Sequence, residues 1–144
     1  MISTLEAALA ALDPVVDSAE YIVVRLPPHA ITAAAGIVAE IGEPFCALVV
    51  DSFEVTLIVP VEAVELIQRL PGYIAGLERY RLITLNTELD LNLVGFIASV
   101  SRALADVDVA LLPFGAFSRD HLLVQAGQVS AALEALERLR SQYQ

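Results

Sequence analysis

The sequence predicts an α+β fold made of two similar halves. Three observations carry that reading. β-branched runs alternate with helical stripes, in the order strand, helix, strand, strand, helix. That order occurs twice. In each copy the second and third strands are separated only by a short polar turn, so the sheets are at least partly antiparallel. Helices covering one face of such a sheet give a ferredoxin-like sandwich.

The elements follow in order. Residues 3–12 carry Leu5, Ala8, Leu9 and Leu12 on one helical stripe, opened by a capping-box pair, Ser3 and Glu6, and stopped at Asp13-Pro14. "YIVVRL" (21–26) is a strand ended by Pro27-Pro28. "AITAAAGIVAEIG" (30–42) is a helix with Gly42 as its C-cap. "FCALVVD" and "EVTLIVP" are strands about the turn Asp51-Ser52-Phe53, and "VEAVELIQRL" (61–70) is a helix closed by Pro71-Gly72. The second copy begins with the strand "YRLITLN" (80–86). A stripe of Leu93, Phe96, Ile97, Val100, Leu104 and Val107 follows. The strands "VALLPFGAF" and "DHLLVQ" come next, then a helix lined by Val129, Ala132, Leu133, Leu136 and Leu139.

Tyr21 pairs with Tyr80, and Gly36 with Gly95, at an offset of 59. "EVTLIV" (54–59) pairs with "RDHLLV" (119–124) at an offset of 65, so the first copy is six residues shorter. The expected organisation is a helix and linker over 1–19, a first repeat over 20–72 and a second over 73–144. "IVV", "ALVV", "TLIV", "VALL" and "HLLV" do not alternate in polarity, so both faces of the sheets are expected to be covered, by the other repeat or by another subunit.

Composition narrows the function. Eight basic residues, all Arg, stand against eighteen acidic ones, for a net charge of −10. That balance argues against nucleic acid and against an anionic membrane surface, both of which recruit cations. A lone cysteine, Cys46, excludes an internal disulfide and a thiolate metal cage. No signal peptide is read at the N-terminus, and no uncharged stretch reaches the ~18 residues needed to span a bilayer. A cytoplasmic protein is expected. The mean hydropathy of +0.69 implies surface buried against partners, hence a homo-oligomer, dimer or larger.

The segment "LNLVGFIASVSRALADVDVALLPFGAFSRDHLLV" (91–124), with its helix glycine, its Leu104-Ala105 pair and the Asp120-His121 opening a strand, resembles the ACT domain. The whole chain from Tyr21 onward looks like the small bacterial proteins with two such domains and, more distantly, like the CASTOR-type arginine sensors. The resemblance implies tandem ACT-like sandwiches that bind an amino acid, or a similar small zwitterion, at seams between units. It implies regulation rather than catalysis, no cofactor, and an output partner protein that reads the bound state. Asn92 and Val94 stand where the family has an acidic residue and a proline, and nothing after Tyr143 can supply the second copy with the family's fourth strand.

The candidate ligand-binding residues are Asn92, Leu93, Val94, Gly95, Phe114, Ser118, Asp120 and His121. A glycine at a helix start lets a ligand approach unpaired backbone N–H groups, or only lets the helix pack closely. Asp120 could take the ammonium or guanidinium of a bound amino acid, or could simply bond the backbone of a polar turn. A Ser118-His121-Asp120 catalytic triad is not expected, because alternate residues of a strand face opposite ways. No metal site is expected either, since His29 is the only other histidine. The competing reading is an assembly module whose pocket is filled by "LVGF" (93–96) and "PFGAF" (113–117).

Overall fold

The computed structural model describes residues 1–144. Its contacts divide the chain into a larger unit, residues 1–18 with 81–144, and a smaller one, residues 19–80. One strand, β1 (Pro14–Leu26), contributes to both.

The larger unit holds α1 (Leu5–Ala10), the first residues of β1, β5 (Tyr80–Leu85), α4 (Phe96–Ala105), β6 (Leu112–Gly115), β7 (Asp120–Gln125) and α5 (Val129–Ser141), the last preceded by a 3-10 turn. Its strands lie in the order β1, β5, β7, β6. Ile83, Leu85, Leu122 and Val124 point to one face of this sheet. They pack there with Phe96, Val100 and Leu104 of α4 and with Ala132, Ala135, Leu136 and Leu139 of α5. The spacing of three and four along each helix is the apolar stripe the sequence shows. Each fully buried leucine contributes about 1.5–3 kcal/mol.

The smaller unit holds the rest of β1, α2 (Ile31–Ile41), β2 (Ala47–Val50), β3 (Val55–Pro60), a 3-10 turn, α3 (Val64–Ile67) and β4 (Ile74–Ala75). β3 pairs antiparallel with both β1 and β2, and β4 pairs antiparallel with β1. Val24, Leu26, Leu57, Val59, Ala34, Ile37 and Ile67 are among the buried residues of its core. The β2–β3 turn closes on Asp51, whose Oδ1 accepts from the N–H groups of Phe53 and Glu54 at 2.7 and 2.9 Å.

The predicted α+β class and the strand-helix-strand-strand-helix order of each copy are both present. Leu57, Ile58 and Val59 of β3, and Leu122, Leu123 and Val124 of β7, are all buried within a single chain. The central strands are therefore shielded on both faces, whereas Val49, Val50 and Leu112 of the edge strands β2 and β6 are exposed, against the same expectation.

Four expectations change. The first eighteen residues pack with the larger unit. Thr4, not Ser3, caps α1, its hydroxyl accepting from the Ala7 N–H at 3.3 Å. The carbonyls at the other end of α1 are met by side chains: Thr87 donates to Ala11, Gln144 to Ala10 and Arg140 to Leu12. These bonds satisfy orphan groups of a short helix that could not stand alone. Next, Pro14 does not lead into a linker. It starts β1, and residues 14–18 lie beside β5 as the larger unit's fourth strand. The larger unit's fourth strand is thus the N-terminal part of β1. Finally, Gly36 is not the counterpart of Gly95. Gly95 caps α4 at φ 96°, whereas Gly36 lies inside α2 and Ala30 caps that helix. The six extra residues of the second copy precede the helix, in the loop 86–95 against 27–30, so the offset is already 65 at the helix start.

Candidate functional site

A cavity of about 390 Å³ opens in the larger unit, where the loop before α4 meets the β6–β7 hairpin. Three pieces build it. The loop supplies Leu89, Asp90, Leu91 and Leu93, the first turn of α4 supplies Gly95 to Ala98, and the hairpin supplies Gly115 to Asp120.

Each piece is fixed locally. The Asp90 carboxylate accepts from the Asn92 N–H at 2.8 Å, and the Asp90 carbonyl accepts from Leu93 at 3.0 Å, which curls the loop. Ile2 pins its other side, donating to the Glu88 carbonyl and accepting from Asp90, each at 2.9 Å. Leu89 donates to the Ser118 carbonyl at 2.7 Å and so ties loop to hairpin. Arg119 donates to Asn86 Oδ1 and pairs with Glu88 at 3.4 Å, which directs its guanidinium to the loop.

At α4 the first intrahelical bond runs from the Ser99 N–H to the Gly95 carbonyl at 3.0 Å. No side chain caps the helix. The N–H groups of Phe96, Ile97 and Ala98 therefore lack partners within the helix, and all three residues line the cavity. Gly95 is against the chain's own Leu5: a β-carbon there would lie 3.2 Å from Leu5 Cδ2.

Asp120 opens β7 on the same face as Leu122 and Val124, and so turns into the cavity. Its pair partner across the hairpin is Gly115. A β-carbon on Gly115 would stand 3.5 Å from Asp120 Oδ1, an ordinary contact, so the carboxylate lies over this residue. Burial raises the Asp120 carboxyl above its usual range, opposed by the nearby His121. His121 points to the opposite face, where Nδ1 is bonded to Thr84 Oγ1 at 2.9 Å. Burial lowers its pKa, the Asp120 charge raises it and Arg119 lowers it further.

Of the eight candidate residues, the cavity brings together Leu93, Gly95, Ser118 and Asp120. The other four lie outside its lining. Asn92 spends its N–H on Asp90, and Val94 is 84% exposed. Phe114 pairs with His121 across the hairpin, and strand alternation carries both away from Asp120. The unpaired N–H groups expected beside Gly95 fall at Phe96 to Ala98, because Gly95 is the N-cap and α4 begins after it. Asp90, hidden in an unremarkable "TELD", was missed for want of any motif. No group of three or more His, Cys, Asp or Glu side chains is placed to hold a metal ion. No helix is long and apolar enough to cross a membrane.

Residues 76–138 match the family model of the ACT domain. No curated protein sequence matches the chain. Among solved structures, the chain is similar to a protein of unknown function from Vibrio cholerae described as a possible transport protein. The TM-score is 0.73 at 20% identity, covering 94% of this chain and 95% of that one. It is similar to a protein from Agrobacterium tumefaciens at TM-score 0.71 and 16% identity, covering 90% and 89%. It is also similar to the ligand-free regulatory subunit of aspartate kinase from Thermus thermophilus, at TM-score 0.65 and 16% identity, covering 88% and 97%. At such identities the likeness speaks for the fold, the ferredoxin-like architecture of ACT-containing regulatory domains.

Proposed function

We propose that the chain is a regulatory protein of two ACT-like units, akin to tandem-ACT sensors of the CASTOR type, whose larger unit binds an amino acid in the cavity beside Asp120. The observation that supports this reading is that one cavity is lined both by Asp120 and by residues whose N–H groups have no helical partner. A zwitterion needs that pairing. Its carboxylate takes the N–H groups of Phe96 to Ala98 at the positive end of α4, and its ammonium takes Asp120. Ser118 adds a hydroxyl, and Leu91, Leu93 and Phe117 receive an apolar side chain. Ionising Asp120 against its burial is offset when a cation binds it, so the bound state favours the charged form.

Leu91 and Phe117, which line the cavity, are 67% and 74% exposed. Such an apolar rim suits a second copy of the chain, which would close the site as a seam and couple occupancy to assembly. A partner protein then reads the assembled form.

The second reading is a pure assembly module, favoured by Leu5 packing onto Gly95 from the chain's own N-terminus. Thermal melting against the twenty amino acids separates the two. A ligand at ~100 times its Kd adds ~2.7 kcal/mol, a shift of a few degrees for a chain of this size. Asp120→Asn is expected to abolish that shift while the unliganded protein stays folded. A flat panel supports the assembly module, and a full shift in Asp120→Asn removes the site from this cavity.

A further inference from the structure

A second cavity, about 420 Å³, lies in the larger unit along the seam between α4 and α5, apart from the cavity at Asp120. Ala103, Val107, Ala135 and Leu139 are its apolar residues, and Arg102 and Arg138 approach it from the two helices. Alanines at 103 and 135 leave room that larger residues would fill.

The charges are out of keeping with the rest of the molecule. The chain carries −10 overall. Its ion pairs engage Arg25, Arg119 and Arg140, while Arg102 and Arg138 enter none. Two arginines outside those ion pairs thus border one small-molecule-sized pocket. Asp106 also lines the cleft, one turn beyond Arg102, which leaves its net charge at plus one. That suits a compact anion and not a polyanionic surface.

We propose that the α4–α5 cleft binds a small organic dianion, a dicarboxylate or a phosphomonoester, gripped by Arg102 and Arg138 with its apolar body on Ala103, Ala135 and Leu139. Guanidinium forks match both oxyanions bidentately. Ser99, Gln142 and Tyr143 line the same cleft with further hydrogen-bonding groups.

The test is calorimetric titration of the full chain with glutarate and with phenyl phosphate, using uncharged glutaramide as the control. Binding of either anion, weakened on the order of 10- to 100-fold by Arg102→Gln or Arg138→Gln and lost in the double variant, is the expected result. The stronger of the two anions identifies the headgroup. No binding of either anion overturns the proposal, as does glutaramide binding equally well or the double variant binding undiminished. Both arginines are exposed, and an unchanged melting temperature shows that the variants fold. Asp120→Asn is expected to leave anion binding intact, so this site and the amino-acid site fail separately.

Discussion

The loops that lead from the first strand into the first helix differ more than anything else between the two copies. In the smaller unit the passage from β1 to α2 takes residues 27–30, "PPHA", and Ala30 caps the helix with no side-chain bond. In the larger unit the passage from β5 to α4 takes residues 86–95 and ends in a left-handed glycine. The longer loop reaches out, is tied to Ile2, Ser118 and Arg119, and walls a cavity over the helix start. At the hairpin, Asp120 of the larger unit has Val55 as its counterpart, fully buried in the smaller unit's core. The same fold thus carries a polar pocket in one copy and plain packing in the other, and the difference comes from six loop residues and one strand position.

Matched substitutions sharpen that contrast. The largest effects are expected from Leu122→Ala and Leu57→Ala, equivalent core positions of β7 and β3 that are both fully buried. Each should cost about 2–5 kcal/mol in chemical denaturation. If the two copies unfold together, both variants shift one common transition. If they unfold separately, each variant moves its own, and the copies are independent domains.

The glycines give smaller effects of opposite sign. Gly95→Ala forces a β-carbon into a left-handed conformation and against Leu5, and should destabilise by about 1–2 kcal/mol. Gly36→Ala, inside α2 with open space around it, should stabilise by about 0.5–1 kcal/mol. Equal effects at the two positions would undo the distinction between a glycine the backbone needs and one it merely tolerates.

The smallest effects concern pH. The folded Asp120 carboxyl sits above 3.8, its ordinary value, so between the two values the folded state holds the extra proton. Stability is therefore lost as pH rises through that window. His121 is the reverse. Its folded pKa lies below 6.5, the unfolded state holds the extra proton, and stability is lost as pH falls through the window. Denaturation across the acid range should show Asp120→Asn gaining on the unsubstituted protein as pH rises. His121→Gln should gain on it as pH falls below 6.5. The opposite slope in either variant would mean that burial does not govern that group.

Much of the architecture was legible because periodicity reports burial directly. The stripe Phe96, Val100, Leu104 could face only a core, and the runs at 57–59 and 122–124 could sit only in doubly covered strands. Asp120 and Gly95 were legible as chemistry, a carboxylate beside a helix start. The pairing of Gly36 with Gly95 misled, because identity of residue says nothing about where an insertion falls. His121 was named a ligand residue together with Asp120, although the strand alternation that rules out the triad turns it to the other face, onto Thr84.

The sequence by itself determined the α+β class, the doubled order of elements and the apolar faces, all of which follow from local patterns of polarity. Only the tertiary structure decided that residues 14–18 complete the sheet of a unit that resumes at residue 81, and that Ile2 and Leu5 close over the loop before α4. It also put Phe96 to Ala98, and Asp90, on the same cavity as Asp120. Those outcomes depend on contacts between segments far apart in the chain, and on backbone donors, which every residue but proline carries alike.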